Sequence, residues 1–321
     1  MASASPSTTI SGRDLSMGAL AITVVLWASA FVGIRAIGDT FSPGLLSLGR
    51  LLVGVVALTV LVRPWRHSIP RGRTLGLVVV YGVVWFGAYN VALNAGETYL
   101  DAGTAALVVN IGPILIALLA GVLLKEGFPR PLMVGIVLAF AGVALIAVST
   151  RGDGGVETAS ATGVVLCVVA AVLYAIGALT QKPTLATVHP GMSVWMACGI
   201  GAVVCLPYGS TLVDELGRAG AEDVWWLVYL GVFPTAIGFT TWSYALRRLT
   251  AGQVASTTYL VPAVATGISW AMLGEVPAPL AFVGGALCLV GVGVTRLSPA
   301  RFVRFWPVSA RRTDQDRTPV E

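Results

Sequence analysis

Charge is what this 321-residue chain has least of: only 11% of its residues are Asp, Glu, Lys or Arg, less than half the roughly 25% that soluble domains carry. So little charge does not solvate a surface, and a soluble core of this size has no use for 56% apolar side chains. A soluble enzyme, a disordered chain and a nucleic-acid binder are all disfavoured. Cysteine is also scarce: Cys167, Cys198, Cys205 and Cys288 lie inside apolar runs without CxxC spacing, so neither a disulfide framework nor a zinc site is expected. His67 and His189 fall in polar connections away from those cysteines. The chain has no nucleotide-binding P-loop. It has no catalytic cluster either: the longest connections, near 151–161 and 209–223, are short, and the acidic residues of the second (Asp214, Glu215, Glu222, Asp223) have no histidine among them. No cofactor, metal or catalytic residue is expected, and an intramembrane transferase is the disfavoured alternative of another class.

What the chain does have is apolar length. Ten runs are readable, at about 17–37, 43–62, 75–96, 102–124, 132–149, 162–181, 191–208, 224–246, 252–274 and 278–296. Most hold roughly 20 residues, which as helix span about 30 Å, the thickness of the hydrocarbon layer. Barrel strands would alternate and be half as long. An all-α integral membrane protein of ten transmembrane helices is therefore expected, with membrane lipids as its surroundings. With the N-terminus inside, 16 of the 20 basic residues fall on cytoplasmic segments and only Arg35, Arg151 and Arg218 outside, while Arg50 lies within a span. That asymmetry places both termini in the cytoplasm of a cell whose cytoplasmic membrane holds the chain. It also explains a pI near 9.2 without nucleic acid. Residues 1–16 and 298–321 read as cytoplasmic tails.

The two halves of the chain match each other. At an offset of 149, Ala102, Gly103, Pro113, Glu126, Gly135 and Gly142 correspond to Ala251, Gly252, Pro262, Glu275, Gly284 and Gly291; 12 of the 44 positions in 100–143 are identical, against about four by chance in so biased a composition. Nearer the N-terminus the offset is 147, pairing Trp27 with Tyr174 and Arg35 with Lys182. The halves, 17–150 and 162–297 joined by an extracytoplasmic linker at 151–161, hold five runs each. Five is odd, so the second half enters the bilayer inverted, as in many secondary transporters with a midplane site between repeats.

On these residues the chain resembles a known family. The segment LWASAFVGIRAI (Leu26–Ile37), Arg50 in span two, both AG-x9-P-x12-E blocks and the Gly-rich spans after them are similar to the EamA family of the drug/metabolite transporter superfamily. The resemblance implies two inverted five-helix repeats around a central cavity and export of small metabolites, often amino acids. The same fold carrying sugars, nucleobases or drugs is the alternative.

Several residues are candidates for that cavity. A central arginine costs about 2.5–3.5 kcal/mol to insert and faces an interior, so Arg50 either holds a substrate anion or bonds backbone at the repeat interface. Asn90, Asn94 and Glu97 form one stripe on span three, too polar for lipid. Asn110 and Tyr259 are repeat equivalents, each three residues before Pro113 or Pro262. Within a helix those prolines free the carbonyls of Val109 and Thr258, making them candidate gates or ligand-facing kinks. Trp27 and Tyr174 lie mid-span, away from interfacial belts, where their N–H and O–H require partners. Trp85, Tyr89 and Trp242 add aromatic surface. Glu126 and Glu275 end their helices against the dipole and so need cationic partners; both are gate candidates. No span has Asp or Glu near its centre, which argues against exchange of cationic drugs and for neutral, zwitterionic or anionic solutes.

Overall fold

The computed structural model describes residues 12–123, 130–149, 157–249, 254–255 and 257–295. Glu126, Ala251, Gly252, most of the 151–161 linker and the 298–321 tail lie outside the described residues. The described residues are helical throughout, without strands. Helix α1 runs Gly12–Ile37, beginning inside the stretch read as a polar tail, with Asp14 in its first turn, where an acid suits the positive helix end. After it come α2 (Pro43–Val62), α3 (Gly72–Glu97), α4 (Ala102–Val109), α5 (Gly112–Leu123), α6 (Arg130–Ser149), α7 (Glu157–Thr184), α8 (Pro190–Cys205), the short α9 (Leu212–Arg218), α10 (Ala221–Arg248), α11 (Val261–Leu273) and α12 (Pro279–Thr295). Six helices are long and apolar enough to cross a membrane, and four shorter apolar ones of 10–17 residues accompany them.

The distribution of side chains is that of a protein in lipid. Large apolar residues stand outward, Val56 and Val60 among them, while Arg50, Asn90, Asn94 and Glu97 are buried. Lipid supplies no hydrogen bonds, so polar groups turn inward to meet one another.

Helices at corresponding places in the two halves pack directly together. At the α6–α12 crossing, a Cβ added to Gly142 would stand 2.5 Å from the Gly284 carbonyl, and one added to Gly291 would stand 2.6 Å from that of Gly135. Cys288 Sγ donates to the carbonyl of Ala139, its counterpart at offset 149, at 3.3 Å. At the α2–α8 crossing Cys198 Sγ does the same to Leu51, its counterpart at offset 147, at 3.3 Å. Numbers rise along α6 as they fall along α12, so these two helices run antiparallel. The cysteines are buried and free, small close-packing residues with a weak donor.

Two expectations need correction. Pro113 and Pro262 do not kink continuous helices: each stands at the start of a new helix, after a turn at Asn110–Ile111 and a 3-10 turn at Thr258–Leu260. A proline costs nothing there, since first-turn N–H groups have no helical partner. Nor is the Thr258 carbonyl freed, because Val261 N–H donates to it.

Candidate functional site

The site begins with a backbone irregularity. α3 and α10 each contain a π-helical stretch, Gly82–Ala88 and Gly231–Gly238, and the two begin 149 residues apart. A π segment widens the turn and leaves carbonyls for side chains to satisfy. In α3, Asn90 Nδ2 donates to Trp85 O at 3.4 Å and Phe86 O at 2.7 Å. In α10, Pro234 lacks the N–H that the Leu230 carbonyl needs, and Thr235 Oγ1 donates to that carbonyl at 2.8 Å. The same Thr235 hydroxyl accepts from Arg50 Nε at 3.2 Å. A guanidinium on α2 is thus tethered to the irregular turn of α10.

Arg50 is 3% exposed, yet has no carboxylate in contact: among the described residues the salt bridge within 4 Å is Arg35–Glu275. It borders a cavity of about 60 Å³ lined also by Trp27, Phe31, Trp85, Tyr89, Asn90, Leu93, Asn110, Tyr174, Phe239 and Thr258. One water needs about 10–15 Å³ of such space, so this conformation holds a few waters, and a larger solute has to displace walls. The aromatic rings interlock: Trp85 and Tyr174 have centroids 5.2 Å apart, Trp27 and Trp85 6.2 Å, Trp27 and Phe239 5.1 Å. Among the described residues the buried donors Trp27 Nε1, Asn110 Nδ2 and Tyr174 Oη have no hydrogen-bond partner, and all belong to residues on the cavity wall. A small cavity lined by unpartnered donors beside a fixed cation is built for a solute that brings acceptors and negative charge.

Of the residues the sequence offered for the cavity, Trp27, Arg50, Trp85, Tyr89, Asn90, Asn110 and Tyr174 meet on this wall, and Glu97 lies one turn beyond Leu93, off it. Three others do not reach it. Asn94 faces α2, its amide donating to Pro43 O at 3.2 Å and Ser47 Oγ at 2.9 Å, so it joins helices. Trp242 stands behind Trp27, centroids 4.9 Å apart, donates to Gln181 Oε1 at 3.2 Å, and borders a separate small void together with Lys182. Tyr259 is half-buried one position past Thr258, which takes the place on the wall. Phe31, Phe239 and Thr258 were missed as wall residues; Pro234 within an apolar span was the available signal for the irregular turn that positions Thr235. Glu275 does have its cation, Arg35 Nε at 3.0 Å, and Ser269 Oγ approaches its other oxygen at 3.5 Å. Lys182, the counterpart of Arg35, donates instead to the carbonyls of Leu246 and Leu249 at the end of α10.

Helices with apolar exteriors around a largely aromatic cavity that carries a buried arginine and a few polar groups define a multi-pass membrane protein of the transporter class. Sequence comparison agrees: the model of the EamA-like transporter family matches twice, over residues 15–148 and 161–297, and the chain belongs to that family. A probable terminal-alkyne amino-acid exporter of Streptantibioticus cattleyicolor is 40% identical over 85% of this chain and 91% of its own. An uncharacterized transporter of Bacillus subtilis, YdfC, is 31% identical over 86% and 89%, and a probable amino-acid metabolite efflux pump of Salmonella typhimurium is 28% identical over 84% and 91%. A crystal structure at 18% identity superposes with a TM-score of 0.62 over 90% of this chain and 99% of that one, which speaks for the fold. The relatives are transporters, and the chain is not an enzyme.

Proposed function

We propose that the chain is a secondary transporter of the cytoplasmic membrane that exports small carboxylate-bearing metabolites, amino acids foremost, by alternating access. Two halves, 17–150 and 162–297, make ten spans with both termini in the cytoplasm and rock about the central cavity. Supporting the inverted arrangement are the antiparallel α6–α12 crossing and the contacts between counterpart residues at both crossings. The observation that carries the substrate reading is Arg50, a buried cation on the cavity wall with no carboxylate against it. A guanidinium so placed is completed by a carboxylate from outside. The two relatives named for amino-acid export fit this chemistry.

The test is counterflow in proteoliposomes loaded first with L-propargylglycine, a terminal-alkyne amino acid, and then with a panel of neutral amino acids. Arg50→Ala lowers apparent affinity at least about a hundredfold, the loss of a buried charge-assisted pair. Wild-type counterflow by well-folded Arg50→Ala removes Arg50 from the binding role, and flux of uncharged sugars or nucleobases in place of amino acids reassigns the substrate class.

A further inference from the structure

The cavity leaves one buried acid unused. Glu97, the last residue of α3, is 1% exposed and neither of its carboxylate oxygens has a hydrogen-bond partner. Three residues earlier, Asn94 is also 1% exposed; its amide nitrogen donates to α2, and its Oδ1 is unpartnered. Three buried acceptor oxygens on this last turn of α3 are thus without a donor. Such a cluster is an environment for a cation, since only something positively charged or bearing N–H or O–H completes it.

The charged groups around Glu97 are Arg35 on α1 and Arg50 on α2, with Asp101 before α4 and Glu275 after α11 as negative charges; Tyr89 on α3 and Cys167 on α7 are the other titratable neighbours. None of the described cations lies within 4 Å of it. The cluster is close to the cavity: Leu93 lines the wall, and Glu97 stands one turn further, about 6 Å along the helix. Donors thus stand on the cavity wall, Arg50 with Trp27 Nε1 and Asn110 Nδ2, and an unfilled carboxylate lies about one helical turn beyond it. A cation on the wall and a carboxylate next to it are the two charges that an amino acid's carboxylate and ammonium complement.

We propose that Glu97 is the coupling-proton site of the carrier, holding a proton when the cavity is empty and losing it when an amino-acid ammonium takes its place. This rests on the cavity being the substrate site. In the exchange the proton passes from the Glu97 carboxyl to water and the ammonium N–H groups donate to the vacated oxygens. One positive charge replaces another, and no covalent bond to the substrate forms. An inward proton gradient then drives the amino acid outward, because the carrier does not hold both at once.

The experiment uses purified full-length protein in weakly buffered detergent with L-propargylglycine, or the neutral amino acid that gives the largest counterflow. Wild type releases about one proton per bound amino acid, and its apparent Kd rises about tenfold per unit of falling pH, as linkage requires. Glu97→Gln binds more weakly, releases no proton and has a flat pH profile. In proteoliposomes a pH gradient accumulates substrate through wild type and not through the variant. Wild-type binding without proton release overturns the proposal even if the variant fails to fold; so does a Glu97→Gln protein that keeps the release. Accumulation driven by a sodium gradient and not by pH overturns the proton assignment. Absence of any amino-acid binding by wild type, or binding indifferent to Arg50→Ala, is instead the failure of the underlying substrate reading.

Discussion

Gly142 and Gly284 meet backbone to backbone where α6 crosses α12: a Cβ on Gly142 would lie 2.5 Å from the Gly284 carbonyl oxygen, and one on Gly284 would lie 2.6 Å from the Gly142 carbonyl. The atoms in the way are main chain and cannot swing aside. Gly142→Val is accordingly expected to force the two helices apart and to lower stability by about 1–3 kcal/mol, the usual penalty of overpacking. Thermal unfolding in detergent reads it, and a wild-type melting temperature contradicts the packing. Gly18, where an added Cβ would meet nothing within 4 Å, gives the control Gly18→Ala.

How far the site was legible depended on what the sequence repeats. Trp27 and Tyr174 were found because they correspond across the duplication, and Arg50 because a charge in lipid is conspicuous; all three reach the cavity. The polar stripe on α3 was right as a stripe but divided in fact. Asn90 lines the cavity, its amide donating to Phe86 O, while the Asn94 amide is drawn to Pro43 O and Ser47 Oγ on α2, partners that sequence spacing does not reveal. On α10 the sequence pointed to Trp242, but Phe239 reaches the wall and Trp242 stands behind Trp27. Pro113 looked like a kink because sequence shows a proline in an apolar run, and the helix break before it depends on the turn at Asn110. Glu97 was visible, but its isolation from donors is a three-dimensional fact.

Thr235 is expected to matter through Arg50. Its hydroxyl accepts from Arg50 Nε and donates to Leu230 O, so it holds the guanidinium in place without lining the cavity. Thr235→Val removes both bonds, and at about 1.4 kcal/mol lost the affinity for substrate falls about tenfold. Thr235→Ser keeps the hydroxyl and stays near wild type. A substrate titration of both variants decides it: equal affinities show that the tether does not orient Arg50.

The Arg35–Glu275 pair links the end of α1 to the turn beyond α11, a turn made by Gly274 in the left-handed region at φ 68. Its side chains are about a third and a quarter exposed, so stability depends on it by no more than about 1 kcal/mol. That is still enough to shift a two-state equilibrium about fivefold. Arg35→Glu and Glu275→Arg each change the transport rate by a few-fold with little effect on melting, and the double swap restores it. Failure of the swap to restore the rate, with the singles impaired, shows that the pair does not act as a latch.

His67 and His189 stack with centroids 4.6 Å apart and planes 20° apart, joining the connection after α2 to the start of α8. His189 stands immediately before α8, where a positive charge faces the positive end of the helix dipole. Desolvation first, then the charges of His67 and Arg247, push its protonation below the usual imidazole range. The sign follows from linkage. Above about pH 6.5 His189 is neutral whether the protein is folded or not, and it contributes no pH dependence. As pH falls below that value the unfolded chain binds the proton first, so stability declines until the folded His189 protonates too. Melting temperature is expected to drop as pH falls below about 6.5, with a shallower drop in His189→Gln, which keeps a polar side chain without the titration. An identical pH profile for the variant would mean that some other group sets the acid sensitivity and that the stacked pair is only a packing contact.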